Sequence, residues 1–264
     1  MPKQGEIDLP DALGDEGRAH AYGKPFSDAG CGRYLRDVGC ILDLLPPPPA
    51  RLLDLGVGPG WTSLLYARRG YTVVGQDIAP GMIERARRKC AEERISGVEF
   101  VVQDYESMDF REAFDAAVFY DCLHHAEDEV AALLAVFRAL KPGGVCLTVE
   151  PGAGHEESAE ARAFAARFGV TERSMPPERI IAAARQAGFT RYEIFPRTLR
   201  LDPLATGAPA DPIPPPPSRL YIIKRYLDHI WRCAFKGRRY RDARNIGAIP
   251  TGTFTESHYV RLTR

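Results

Sequence analysis

The stretch Leu52-Leu53-Asp54-Leu55-Gly56-Val57-Gly58-Pro59-Gly60-Trp61 decides how this chain folds. An apolar strand runs into three glycines at alternate positions, and a helical pattern opens at Trp61. Glycine has no Cβ, so the backbone there can turn sharply and lie close to a ligand. The amides of the helix N-terminus then face that ligand. Outward from this loop, Thr72–Gln76, Val98–Val102, Asp115–Tyr120 and Val145–Val149 read as further strands after Arg51–Leu55. Trp61–Arg69, Gly81–Arg94 and Glu127–Leu140 read as the helices between them. Such alternation means βαβ units and a parallel sheet covered on both faces. Right-handed crossovers bring the carboxyl ends of the strands to one edge, and ligands bind there, where the strand order reverses.

The flanks are less regular. The first twenty-odd residues, rich in Gly, Asp and Glu, are expected to form an arm that orders on binding or a loose tail. Tyr34, Val38, Ile41 and Leu45 share one helical face, and Pro46 to Pro49 end that helix. After Glu150, Glu157–Phe168 and Pro177–Ala187 read as helices and Arg191–Phe195 as a strand. A Pro-rich stretch, Asp202 to Ser218, leads to a cationic amphipathic helix, Arg219–Phe235, and to a last strand, Thr253–Thr263.

About twenty residues beyond the loop, Asp77 ends the second strand, where a carboxylate can accept both ribose hydroxyls of an adenosine. That fits a dinucleotide or S-adenosylmethionine, and the spacing discriminates. A dinucleotide loop is G-x-G-x-x-G; here the third glycine comes one residue early. Pro59 also removes an amide that a pyrophosphate would use. Asp54, just ahead of the loop, suits a ligand carrying an ammonium or sulfonium charge. A nicotinamide-dependent oxidoreductase is therefore disfavoured.

From Arg51 to Glu150 the sequence resembles the class I S-adenosylmethionine-dependent methyltransferases, in particular small-molecule enzymes of bacterial biosynthesis. The glycine loop and Asp77 are followed in order by Ile78-Ala79-Pro80-Gly81-Met82, Gln103-Asp104-Tyr105, Phe114–Tyr120 and Leu140-Lys141-Pro142-Gly143-Gly144. The resemblance implies a doubly wound, Rossmann-like sheet of seven strands, mostly parallel, with the last strand antiparallel and a helical lid inserted. It divides the chain into an N-terminal arm and helix over the active site (1–50), a cofactor-binding core (51–200), a lid (201–252) and the final strand (253–264). Asp54, Gly56, Gly58, Gly60, Asp77, Ile78, Met82, Asp104, Tyr105 and Tyr120 are the expected cofactor residues. Asp104 is placed against the adenine amino group and Tyr105 in the adenine pocket. The product would be S-adenosylhomocysteine.

The loop after the fourth strand, Tyr120-Asp121-Cys122-Leu123-His124-His125, falls at the ligand edge. Methyl transfer is an in-line displacement in which alignment supplies much of the acceleration. A base helps when the acceptor is a hydroxyl, and His124 or His125 is expected to serve, titrating near pH 6 to 7. Cys122 is disfavoured as a nucleophile, because direct transfer needs no covalent intermediate. His124, His125, Asp121, Glu150 and His155 have residue types that bind metals, but no motif such as H-E-x-x-H supports a site, so none is assigned.

Lys plus Arg and Asp plus Glu both number 35, a balance that speaks against a nucleic-acid substrate. Residues 219–244 nonetheless carry +7 and the rest of the chain −7. That segment reads as a solvated helix face, a lid meeting an acidic or phosphorylated acceptor, or a transient contact with an anionic membrane surface. The six cysteines lack paired spacing and read as reduced thiols in a cytoplasmic protein. No run long enough to span a bilayer occurs, and a monomer or homodimer is expected. The expected activity is histidine-assisted methyl transfer to a small molecule: a sugar, a glycolipid precursor or another secondary metabolite. The alternative is a protein that binds the same cofactor for another chemistry or for regulation.

Overall fold

The computed structural model describes residues 2–197 and 258–264. The expected lid, the Pro-rich stretch 202–218 and the cationic helix 219–235 lie outside the described residues. Seven strands form one sheet: β1 (Arg51–Leu55), β2 (Thr72–Asp77), β3 (Val98–Val102), β4 (Phe114–Tyr120), β5 (Leu140–Val149), β6 (Arg191–Pro196) and β7 (His258–Thr263), in the order β3-β2-β1-β4-β5-β7-β6. From β3 to β5 the pairing is parallel. β7 runs antiparallel to both β5 and β6, with Arg191 opposite Thr263 and Pro196 opposite His258. The reversed last strand expected from the resemblance is therefore present. Residues 253–257 of its expected span are not among those described.

Burial explains why these segments are strands. Leu52, Leu53 and Leu55 are all at most 1% exposed, and β4 is buried from Ala116 to Phe119. A strand apolar on both faces requires cover on both sides. The cover comes from α3 (Cys31–Leu44), α4 (Trp61–Arg69), α5 (Pro80–Glu92), α6 (Glu129–Ala139) and α8 (Pro177–Ala187), while α7 (Ala159–Phe168) lies against the N-terminal helix. α6 starts where the Asp128 carboxylate accepts from the amides of Val130 and Ala131 at 2.9 and 3.0 Å, an N-cap worth about 1 kcal/mol. Val38 and Ile41 of α3 join the core beside Leu52 and Val73. The same helix is tied down by buried Asp37, which accepts from the hydroxyls of Tyr120 and Tyr259 at 2.8 Å each and from Arg197 Nε at 3.0 Å.

The expectation of a loose N-terminal tail is not met. Residues 2–23 form two helices, α1 (Pro2–Ala12) and α2 (Gly14–Gly23), and α1 packs on α5 and α7. Composition missed this because the helices are fixed by polar contacts rather than by an apolar stripe. Lys3 pairs with Asp104 and Glu106. The amide of Thr171 donates to Glu6 at 3.1 Å. Lys89 donates to the carbonyls of Tyr22 and Lys24 at 2.7 and 3.1 Å. No helix among the described residues is long and apolar enough to cross a membrane.

Candidate functional site

The strand order reverses between β1 and β4, and at the carboxyl ends of these strands lies a cavity of about 400 Å³. Its floor is the glycine loop, in which each glycine has a separate physical reason. Gly56, at φ +60°, lies so close to the turn after β4 that a Cβ would stand 2.6 Å from Cys122 Cβ. Gly60, at φ +81°, caps α4, and a Cβ there would press on Ala86 and Phe100. Gly58, at φ +52°, lines the cavity, and a Cβ built on it meets nothing within 4 Å. Bare backbone therefore faces the cavity at Gly58, as a closely approaching ligand requires.

Asp77 is on the same wall. Its carboxylate accepts from the amides of Gly58 at 2.8 Å and Ala79 at 2.9 Å, so it holds the loop while retaining acceptor capacity. Burial raises its pKa above the ordinary carboxylate value, against the pull of the Ala79 and Gly58 amides. Ile78 and Met82 follow on that wall, and Asp104 and Tyr105 stand across from them. Asp104 meets the Lys3 ammonium and accepts from the Glu106 amide at 3.0 Å. Tyr105 donates its hydroxyl to the Cys122 carbonyl at 3.1 Å. Tyr120 closes another side with Tyr34 and Trp61, three rings meeting edge to face at centroid distances of 5.8 to 6.4 Å.

Two expected cofactor residues stand outside the cavity wall. Gly60 serves the helix turn described above. Asp54 is 1% exposed beneath the loop, and its carboxylate is occupied by Thr62 at 2.7 Å and Ser63 at 2.6 Å. Burial pushes its pKa up to about 7, the Ser63 and Thr62 hydroxyls pulling the other way. Through Oδ2, Asp54 therefore fastens the start of α4 to the end of β1. Gln76, which no sequence motif marks, supports the loop from beneath. It is fully buried, accepts from the Gly56 amide at 3.4 Å and donates to the Gln103 carbonyl.

The turn after β4 is organised by one buried carboxylate. Glu150, at the end of β5, accepts from the amides of Cys122, Leu123 and His124 at 3.2, 2.9 and 3.3 Å, and meets His124 Nδ1 at 2.7 Å. Asp121, at φ +57°, faces the cavity. Enclosure works against its charge, yet His124, His125 and Arg197 hold its carboxyl below the usual range. Cys122 is buried with Sγ on the Leu55 carbonyl at 3.1 Å, and burial holds its thiol well up, which is the opposite of an activated nucleophile.

The two histidines separate. His124 is 4% exposed and does not line the cavity, so it is not placed to take a proton from a molecule bound there. His125 does line it, with Nδ1 at 2.6 Å from the Thr171 carbonyl and 3.2 Å from Glu6. Burial lowers its pKa, but Glu6, Glu172 and the Thr171 carbonyl outweigh that and raise it to about 9. The ordinary histidine range expected from the sequence left out this partner, Glu6 of α1. Glu172 and His155 join the same cluster, with His155 Nε2 at 2.7 Å from Glu172.

Comparison with known proteins agrees with this geometry. The family described as "Methyltransferase domain" matches residues 53–148. The ubiquinone biosynthesis O-methyltransferase of Xanthomonas axonopodis pv. citri is 37% identical over 102 residues, which is 38% of this chain and 42% of that protein. The chain thus spans about two fifths of the length of the curated relatives it matches. An S-adenosyl-L-methionine-dependent Diels-Alderase of Talaromyces variabilis is 34% identical over 111 residues, 39% of this chain and 37% of that one. Among solved structures, phosphoethanolamine N-methyltransferase 2 of Haemonchus contortus, in complex with S-adenosyl-L-methionine, shares the fold at a TM-score of 0.64 and 20% identity, covering 98% of this chain and 60% of that one. Loop, sheet order and family match converge over residues 53–148, the part of the chain that matches the methyltransferase-domain family.

Proposed function

We propose that this chain transfers a methyl group from S-adenosylmethionine to a hydroxyl of a small molecule, such as a sugar, a glycolipid precursor or another secondary metabolite. One observation carries the reading: the bare backbone of Gly58 and the Asp77 carboxylate that clamps it stand on the wall of the same cavity as the turn after β4. Asp77 would accept from the ribose, with Ile78 and Met82 beside it, and Asp104 and Tyr105 would meet the adenine. Tyr34, Trp61 and Tyr120 offer aromatic surface suited to a sulfonium charge, and ionised Asp121 suits an ammonium. When bound, the cofactor supplies an electrophilic methyl group. The chain's own part is then chiefly alignment and exclusion of water. Of the two histidines expected from the sequence, His125 is the one that reaches the wall, where it would help position the acceptor. Hydroxyl oxygen as acceptor is supported by the name of the O-methyltransferase relative.

The test is incubation of the full chain with S-adenosylmethionine and a panel of hydroxylated small molecules, following S-adenosylhomocysteine release. Acceptor-dependent release is the expected result; tight binding of the cofactor with no release for any acceptor would contradict transfer. The second reading, cofactor binding in the service of another reaction, is favoured by the Diels-Alderase relative and would show as product formation without consumption of the sulfonium.

A further inference from the structure

We propose that His124, His125 and Glu172 form a site for one divalent first-row transition-metal ion of zinc-like character. One nitrogen from each ring and one Glu172 oxygen lie within 4.8 Å of one another. Donors bound to a tetrahedral ion at about 2.0–2.2 Å stand roughly 3.4 Å apart, so closing on an ion needs side-chain shifts on the order of an ångström. Two imidazoles and one carboxylate are the protein ligands of open zinc sites and of the facial triads that hold other divalent metals.

The surroundings strengthen the assignment. Metal-binding histidines are oriented by a hydrogen bond at the ring nitrogen that does not coordinate. Here both rings are held that way at Nδ1, His124 by the Glu150 carboxylate at 2.7 Å and His125 by the Thr171 carbonyl at 2.6 Å. Nε2 of His124 is 3.5 Å from Glu172 Oε2. The rings lie 4.0 Å apart between centroids. His155 Nε2, at 2.7 Å from the same Glu172 oxygen, is in reach as a fourth ligand. Glu6, Glu150 and Glu172 surround the three imidazoles with negative charge, which a divalent cation neutralises better than neutral rings do. Sequence spacing hid the site because its carboxylate comes from the segment after α7, far from the paired histidines. Through His125 the site shares the wall of the cavity. The competing account is a closed network of ion pairs that needs no metal.

The test uses the full chain, stripped by chelator, with Zn²⁺ and Co²⁺ alone as probes and no methyl donor, so the outcome is separate from that of the transferase reading. Calorimetry should give one equivalent of Zn²⁺, and Co²⁺ should show visible ligand-field bands stronger than those of the aqueous ion and displaceable by Zn²⁺. Glu172→Gln should weaken Zn²⁺ binding at least tenfold, and Glu150→Gln by about 10–100-fold through loss of the His124 support. Thermal unfolding checks that each variant folds. Absence of stoichiometric Zn²⁺ binding, or Co²⁺ bands no stronger than those of the aqueous ion, overturns the site. So does wild-type affinity in both variants. If a variant does not fold, the wild-type titration and the Co²⁺ spectrum decide alone.

Discussion

Replacing Asp77 by Ala is the sharpest perturbation of the proposed cofactor site. The side chain holds the glycine loop through Gly58 and Ala79, and in the proposed complex it accepts both ribose hydroxyls. Two hydrogen bonds to a charged acceptor, at about 1.5–3 kcal/mol each, come to about 3–6 kcal/mol, or roughly 10²–10⁴ in Kd. Asp104→Ala removes a single adenine contact from a carboxylate already shared with Lys3 and the Glu106 amide, so a loss of about tenfold is expected. Asp77→Asn keeps one acceptor for the Gly58 amide and should fall between the two. Titration calorimetry with S-adenosylhomocysteine measures all three, with thermal unfolding alongside to separate loss of affinity from loss of fold. If Asp104→Ala weakens binding as much as Asp77→Ala in folded protein, the assignment of the ribose to Asp77 is wrong.

Gly56→Ala forces a Cβ to within 2.6 Å of Cys122 Cβ at a positive φ. Left-handed strain and overpacking at about 1–3 kcal/mol each should lower stability by a few kcal/mol in a denaturant melt; a wild-type midpoint would contradict the close approach. Asp54 is protonated more readily when folded, with its pKa raised to about 7, than when unfolded at about 3.9. The folded state therefore binds the extra proton between these values. Its effect is to make stability highest at low pH and to remove on the order of 4 kcal/mol as pH rises to about 7. Asp54→Asn should flatten that part of the stability profile, and an unchanged slope would refute the assignment. Asp37→Ala removes a buried carboxylate that accepts from Tyr120, Tyr259 and the part-buried Arg197 and should destabilise by a few kcal/mol, read as a lower melting temperature.

Much of the fold was legible because the core is apolar in unbroken runs. Arg51–Leu55, Trp61–Arg69, Val98–Val102 and Pro177–Ala187 carry the same limits in sequence and structure. β5 begins at Leu140 rather than Val145, because the Lys141-Pro142-Gly143-Gly144 turn continues the strand across a shift in register between Phe114 and Ala116. Of the residues expected to meet the cofactor, Gly56, Gly58, Asp77, Ile78, Met82, Asp104, Tyr105 and Tyr120 line the cavity; all but Met82, in the first turn of α5, sit at or just after strand ends that the alternation itself locates. What remained hidden depends on long-range pairing. Nothing near Asp54 in sequence says that Thr62 and Ser63 will occupy it, nothing near His125 announces Glu6, and no periodicity marks a polar helix such as α1 as part of the cavity.

The central claim is that the cavity holds S-adenosylmethionine for methyl transfer. The most direct measurement is calorimetric titration of the full chain with S-adenosylmethionine, S-adenosylhomocysteine and NAD in parallel. Stoichiometric binding of the two sulfur ligands, lost in Asp77→Ala, and no binding of NAD is the predicted result. Tight binding of NAD with none of the sulfur ligands would contradict it.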